Sequence, residues 1–538
     1  NTSLQVHLPQ GTVQGKLKKT VVQNLTYLSF EGIPYAAPPV GELRFKPPVP
    51  ANDWKGVLNA SRTNIPSCIQ VIPSVFTDLI ESEDCLYLNV FTPVKDLQTT
   101  VELFPVMVWI YGGAFLLGSA NSTYFGPDYL LEEGVVVVDL NYRLASFGFL
   151  STEDLESPGN YGLKDQHFAL QWVKTNIKQF GGDPDRVTIF GESAGSVSVQ
   201  YQLMYPRNQG LFHRAISESG STLCIWAFQR HPKKIAFDLG AAAGITTNST
   251  KELVRYLRTL STEKLKSATM RASIKHHQNS LGIISGIPFA PTIEPEHPNA
   301  FVTKKPHQVL QNGDFIKVPY IIGFNSAEAF SAKSAFTMAS PLLRFYDIDA
   351  EILVPSGMNA GKKKSEAGER IKKFYLTDRS KPEQYLEYIN DGYFYRPIIE
   401  TARLFGQATP TFVYCFSYEG VIGRKTLGYS RVDEYEGVVH TEEMAYIWAR
   451  NYLPEPNCTD KLITSRMVRM WANFAKTGSP TPHRDDLLGN VSWPVVSTNM
   501  IYLDINSKMT VKQQYRNDSM QFWKQLYEEY GKPPYDTY

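Results

Sequence analysis

Gly191-Glu192-Ser193-Ala194-Gly195 is the stretch of this 538-residue chain best equipped to do covalent chemistry. A glycine on each side of the serine leaves room for a sharp turn that lifts the serine Oγ clear of the backbone. A serine hydroxyl is a weak nucleophile alone. It needs an imidazole to take its proton and a carboxylate to orient that imidazole. The pentapeptide by itself is a weak signal, but its setting strengthens it. Val187, Thr188, Ile189 and Phe190 before it read as a short buried strand. The small residues after it open a helix whose free N–H groups and positive dipole end would face charge developing at Ser193.

In this strand–turn–helix setting the acid and then the base follow the serine along the chain. Of the ten histidines, His440 and His483 come late enough to serve. His483 sits in Thr481-Pro482-His483-Arg484-Asp485, which reads as an exposed loop. His440 follows Glu436-Gly437-Val438-Val439 and precedes a helix-like segment holding Met444, Ile447 and Trp448, so it stands at a loop-to-helix junction. Glu328, in Asn325-Ser326-Ala327-Glu328, follows the apolar run 318–323 and so falls at a strand's C-terminal end. Ligand sites of α/β sheets gather there, although a glutamate standing alone would read as a surface turn.

The elements that must hold these residues read as a sheet buried on both faces. Residues 106–111 and 135–138 are unbroken apolar runs, and 213–217, 318–323 and 412–416 continue the series. These predict an α/β fold with a central, mostly parallel, twisted sheet flanked by helices. Residues 165–179 carry helical spacing through Phe168, Leu170, Val173 and Ile177, and stop at Gly181-Gly182-Asp183-Pro184. The first hundred residues read as short antiparallel strands and turns. The intervals 230–285 and 330–410 are polar, helix-like and too long for simple crossovers, so they predict helical insertions capping the sheet's C-terminal edge. No repeat or low-complexity linker interrupts the chain, and 1–538 reads as a single domain.

Composition removes several classes of function. The net charge of +1 gives no reason to expect nucleic acid or an anionic membrane as partner. The run Lys362-Lys363-Lys364 to Lys372-Lys373 is interleaved with Glu366 and Glu369 and reads as a solvated helix face. No apolar run approaches the roughly 18 residues that cross a bilayer. The five cysteines, Cys68, Cys85, Cys224, Cys415 and Cys458, have no metal-ligand spacing, so neither a metal nor another cofactor is expected. Cys68 and Cys85 are near enough to close a local loop. Sequons stand at Asn1, Asn24, Asn59, Asn121, Asn248, Asn457, Asn490 and Asn517. With a first residue other than Met and no retention or anchor signal in 533–538, they predict a secreted glycoprotein.

The chain resembles the type-B carboxylesterase/lipase family of α/β-hydrolases, which includes cholinesterases, bile-salt-activated lipase, juvenile hormone esterases and the catalytically silent neuroligins. The matching stretches are GIPYAAPPVGELRF (32–45), EDCLYLNV (83–90), WIYGGAF (109–115), GNYGLKDQ (159–166), FGGDPDRVTIFGESAG (180–195), GFNSAE (323–328), GVVHTEE (437–443) and WANFAKTG (471–478). The resemblance covers nearly the whole chain. It implies the α/β-hydrolase fold with Ser193 as nucleophile, Glu328 as acid and His440 as base. It also implies an oxyanion hole from the backbone N–H groups of Gly113, Ala114 and Ala194, and Trp226 lining the acyl pocket. Ser219 matches a serine that supports the triad acid in relatives, and Glu83 matches an ion-pair partner of Arg44.

Several positions depart from relatives. Tyr111-Gly112-Gly113-Ala114 stands where many have His-Gly-Gly-Gly. No cysteine provides the second bridge often found after residue 240, so the resemblance leaves one disulfide, Cys68–Cys85, and three free thiols expected to be buried. The loop 69–84 lacks the tryptophan with which cholinesterases hold choline. Phe76 is its one aromatic residue, and Asp78, Glu81 and Asp84 read as solvated. A neutral carboxylic ester is therefore the expected substrate, cleaved through an acyl-enzyme. An acylglycerol or sterol-ester lipase is the alternative, and a silent adhesion protein is disfavoured by the complete triad. An ordinary histidine base predicts an acid limb near pH 6–7.

Overall fold

The computed structural model describes residues 4–72, 79–94, 96–97, 102–279, 286–329, 349–378, 380–381, 383–423 and 436–538. The apolar runs become the middle of an eleven-stranded sheet. In chain order its strands are β3 (Lys16–Lys19), β4 (Thr26–Pro34), β6 (Tyr87–Thr92), β7 (Phe104–Ile110), β8 (Val136–Leu140) and β9 (Gly182–Glu192). β10 (Arg214–Glu218), β11 (Tyr320–Asn325), β12 (Thr411–Phe416), β13 (Ile501–Ile505) and β14 (Thr510–Gln513) complete it. From β8 through β7, β9, β10, β11 and β12 to β13 every pairing is parallel. The antiparallel strands β6, β4 and β3 extend one edge and β14 the other. With helices covering this mostly parallel sheet, the chain has the α/β-hydrolase fold.

Two local expectations change. The strand before the serine starts at Gly182 rather than Val187, because a register shift against β7, from Phe104↔Gly182 to Val106↔Val187, absorbs Asp183 and Pro184 as an irregularity. The first segment is mixed rather than antiparallel: β1 (Gln5–Leu8) and β2 (Gly11–Gln14) are antiparallel, but β2 pairs in parallel with β5 (Val57–Asn59). The helix read over 165–179 runs over Tyr161–Asn176 and tightens into a 3-10 turn, Ile177–Phe180, ended by Gly181 at φ 81°.

The core lies directly behind the serine turn. Phe190 and Trp109, on neighbouring strands, pack with Trp448 at ring separations of 4.8 to 5.7 Å. The valines of β7 and β8 are wholly buried, each removing about 1.5–3 kcal/mol of apolar surface from water. Two excursions leave this sheet. Between β10 and β11 run helices Pro232–Ala243, Thr250–Thr259 and Thr262–Asn279, and between β11 and β12 run Lys364–Tyr375, Glu383–Ile389 and Arg396–Gly406. Arg44 ties the first excursion down: its guanidinium pairs with buried Glu83 (Nε to Oε2, 2.8 Å) and donates to Leu260 O at the end of Thr250–Thr259.

Cys68 and Cys85 form a disulfide closing a loop of sequence separation 17. Cys224 and Cys415 are buried, but Cys458 is exposed, against expectation. It opens the helix Cys458–Thr477 immediately after the capping residue Asn457, on the solvent side. Glu81 and Asp84 are not simply solvated either. Glu81 pairs with Lys266 at 2.6 Å and accepts from Gln70 N, and Asp84 accepts from Tyr87 Oη. Of the sequon asparagines, Asn24, Asn59, Asn248, Asn457, Asn490 and Asn517 are exposed, whereas Asn121 is 5% exposed and accepts from Thr123 N. Asn121 is thus poorly placed to carry a glycan. Asn1, Phe76 and Asp78 lie outside the described residues. Among the described residues, no helix is long and apolar enough to cross a membrane, and no group of three or more His, Cys, Asp or Glu is placed to hold a metal.

Candidate active site

β9 ends at Glu192, and the helix Ala194–Met204 begins one residue after Ser193. Ser193 holds the turn at φ 58°, ψ −122°, a conformation that L-residues rarely adopt and that the neighbours must impose. They do so by contact. A Cβ on Gly195 would lie 2.0 Å from Ile110 O, and one on Gly191 would lie 2.6 Å from Gly195 C. Ser193 N donates to Glu218 O at 2.8 Å, fixing the turn to β10.

Ser193 Oγ lies 2.8 Å from His440 Nε2, and His440 Nδ1 lies 2.6 Å from Glu328 Oε2. Glu328 Oε1 accepts from Asn325 N at 2.7 Å, so both carboxylate oxygens are oriented. The loops carrying Glu328 and His440 are fastened to each other. Ala327 N donates to Val438 O, His440 N to Glu328 O, and Val438 N to Ser326 Oγ. His483, the other late histidine, is exposed in a loop.

Three further buried acids surround this chain of groups. Glu192 Oε1 is 3.3 Å from His440 Nε2. Burial, reinforced by Glu443 and Glu328 and opposed by His440, pushes Glu192 up to about 8. Burial and the Glu328 charge push Glu443 up to about 7, and burial holds Glu218 well above the usual carboxylate range. For His440 burial acts downward, but the Glu192 and Glu328 carboxylates outweigh it and raise the imidazole to about 9. The acid limb expected near pH 6–7 therefore moves upward.

Ser219 bonds to a buried acid beside the triad. Its Oγ donates to Glu443 Oε1 at 3.3 Å, while Asn325 Nδ2 donates to Glu443 Oε2. Glu443 thus stands between Ser219 and the acid loop. Its signal in the sequence was its position three residues beyond His440, one helical turn away; Glu192 was visible inside the serine motif itself.

The glycine turn lies against the serine. A Cβ on Gly112 would sit 3.0 Å from Ser193 Cβ and 2.9 Å from Glu192 Oε2. Gly113, Ala114 and Phe115 follow at φ 104°, 56° and 58°, and Leu116 N and Leu117 N close the turn on Gly113 O. Ala194 N is at the start of its helix, where backbone N–H groups have no intrahelical acceptor. Tyr111, where many relatives carry histidine, stacks on Tyr142 at 4.6 Å and buttresses the turn from behind.

Trp226 belongs to a 3-10 turn, Ile225–Ala227, and donates through Nε1 to Tyr393 O at 3.2 Å. Its ring is 5.9 Å from Phe394, which is 5.2 Å from the His440 ring. Tyr393 and Phe394 lie in a short π-helix, Asn390–Tyr395, that sequence periodicity did not reveal. It also steadies the acid loop, since Asn390 Oδ1 accepts from Ala329 N at 2.7 Å and Tyr395 Oη donates to Asn325 O at 3.0 Å.

Comparison with known proteins places the whole chain in one family. The Carboxylesterase family profile matches residues 2–523. Juvenile hormone esterase of Tribolium castaneum is 34% identical over 515 residues, covering 91% of this chain and 85% of that protein. Carboxylesterase 1E of Rattus norvegicus is 34% identical over 546 residues, covering 96% and 92%. The crystal structure of juvenile hormone esterase from Manduca sexta, with OTFP covalently attached, superposes with a TM-score of 0.86 at 28% identity, over 98% of this chain and 99% of that one. Fold and matched length agree, and the chain belongs to the carboxylesterase family.

Proposed function

We propose that this chain is a secreted serine esterase that hydrolyses neutral carboxylic esters through an acyl-enzyme on Ser193. The observation that carries the reading is the connected series Ser193 Oγ, His440 Nε2, His440 Nδ1 and Glu328 Oε2, with spacings of 2.8 and 2.6 Å. Neutral His440 accepts the Ser193 proton as Oγ attacks the ester carbonyl, and Glu328 holds the ring and stabilises the imidazolium that forms. Charge moves onto the carbonyl oxygen, where the N–H groups of Gly113, Ala114 and Ala194 receive it. Loss of one such donor costs about 2.7–4 kcal/mol of transition-state stabilisation. His440 then protonates the departing alcohol. In the second half it takes a proton from water, which attacks the acyl-enzyme and frees the acid and Ser193.

The juvenile hormone esterases and carboxylesterases among its relatives, and a 69–84 loop without tryptophan, support an uncharged ester as substrate. The exposed sequons and the Cys68–Cys85 bridge support passage through an oxidising, glycosylating compartment. Hydrolysis of p-nitrophenyl esters by the purified chain, abolished in Ser193→Ala with the folded state retained, is the expected result. Full activity in Ser193→Ala would remove the assignment.

A further inference from the structure

The acyl-side turn is held from the far end of the chain. A three-residue 3-10 turn has little stability of its own, and Ile225–Ala227, which carries Trp226, is such a turn. Its carbonyls are bound from outside. Arg230 Nη1 donates to Ile225 O and to Phe228 O, both at 3.4 Å, on either side of the tryptophan. Arg230 Nη2 in turn donates to Asp536 Oδ1 at 2.7 Å and to Thr537 Oγ1. Tyr538 N donates to Leu223 O at 3.1 Å, just before the turn.

The tail itself is anchored. Thr537 is 2% exposed, and His307 N donates to Asp536 O. The Tyr538 ring stacks on His307 with a 6° interplanar angle and lies beneath the Arg396 guanidinium. The connection therefore runs from the half-buried residues 536–538 through Arg230 to the backbone around Trp226. From there it passes by ring contact to Phe394 and the proposed base.

We propose that residues 536–538 clamp the acyl-side turn, and that Arg230 and Asp536 are positioning residues that set acyl-chain selectivity without touching substrate. This rests on the esterase reading and on Trp226 bordering the acyl site. Releasing the clamp lets the Trp226 turn retreat, which admits longer acyl groups while leaving Ser193, His440 and Glu328 in place. A pocket that fits or refuses one methylene discriminates by about 10–200-fold, so partial relaxation is expected to change selectivity by about fivefold or more.

The test compares kcat and KM for p-nitrophenyl acetate, butyrate and octanoate in the unmodified chain, Asp536→Asn, Arg230→Lys and Thr537→Val. Tyr538→Phe, which keeps the ring and the backbone bond to Leu223, is the control. The expected result is an octanoate-to-acetate ratio of kcat/KM at least about fivefold higher in Asp536→Asn and Arg230→Lys. The change should appear in KM for the long ester, with kcat for acetate within about twofold, and Tyr538→Phe should match the unmodified chain. If the charged-pair variants do not fold, Thr537→Val carries the test, since it removes an acceptor of Arg230 and a 3.2 Å bond from Thr537 Oγ1 to Asp536 Oδ1 while leaving both charges in place. A ratio within about twofold of the unmodified chain in every folded variant, even with lowered thermal stability, would make the tail merely structural and overturn the proposal. Failure of the unmodified chain to hydrolyse any ester would instead contradict the esterase reading, and this proposal with it.

Discussion

Replacing Glu192 with glutamine isolates the charge that most raises the proposed base. Glu192 Oε1 is 3.3 Å from His440 Nε2, and its charge acts on the imidazole more strongly than the Glu328 charge, to which Glu328 adds a hydrogen bond. Two unit charges at that separation interact by about 5 kcal/mol at an effective dielectric of about 20, equivalent to about 3.7 pK units. That full value is an upper bound. Burial pushes Glu192 up to about 8, so its carboxyl is largely neutral below that pH, and burial also opposes the imidazolium. The remaining shift is about 1–2 pH units. The sign is fixed by chemistry: a raised His440 stays protonated, and useless as a base, to higher pH. In the unmodified chain kcat/KM should therefore rise with pH through a midpoint above the ordinary histidine value, and in Glu192→Gln the midpoint should fall by about 1–2 units. A pH-stat assay on a neutral ester, which needs no pH-sensitive chromophore, measures both profiles. Midpoints agreeing within about 0.3 unit would refute the electrostatic argument.

Glu328→Gln should lower kcat by about 10⁴-fold with little change in melting temperature, because the amide still accepts from Asn325 N but presents a donor to His440 Nδ1; near-normal kinetics would exclude Glu328 as the acid. Cys68→Ser should cost about 3 kcal/mol in urea unfolding, from the loop of separation 17 that the bridge closes, whereas exposed Cys458→Ser should change stability by less than about 0.5 kcal/mol; equal losses would contradict this. Neutral aliphatic or aryl esters should exceed acetylcholine in kcat/KM by at least about tenfold, a gap of about 1.4 kcal/mol, since a cation losing its hydration requires an aromatic face in return. Equal turnover of the choline ester would show that rings such as Tyr393, Phe394 or Phe330 build a cation site; Phe330 lies outside the described residues.

What the sequence made legible was local or ordered along the chain. Ser193 was visible because strand, glycine turn and helix are contiguous, and the acid-then-base order narrowed the search to Glu328, His440 and His483. The β-branched runs marked the parallel strands because a strand buried on both faces has no polar alternation to hide it. The rest depended on distant approach. Ser219 and Glu443 meet across 224 positions, so no spacing rule connects them. The upward shift of His440 comes from packing three carboxylates, Glu192, Glu328 and Glu443, around it in one buried region, which a list of residues does not convey. The π-helix 390–395 that steadies the acid loop defeats a search for regular helical period. Gly181-Gly182-Asp183-Pro184 read as the end of the preceding helix, and the helix ends there, but only the register shift against β7 shows that β9 already starts at Gly182. Cys458 is exposed where a buried thiol was expected, and Asn121 is buried, because burial follows from the packing of the whole chain.

The central claim is that Ser193 is the one activated nucleophile. Intact-protein mass spectrometry after reaction with a fluorophosphonate, followed by peptide mapping, tests it directly. The account predicts a single adduct per chain, on the peptide containing Gly191-Glu192-Ser193-Ala194-Gly195 and assigned to Ser193, with loss of ester hydrolysis in proportion to labelling. An adduct on another residue, or complete inhibition with Ser193 unmodified, would contradict it.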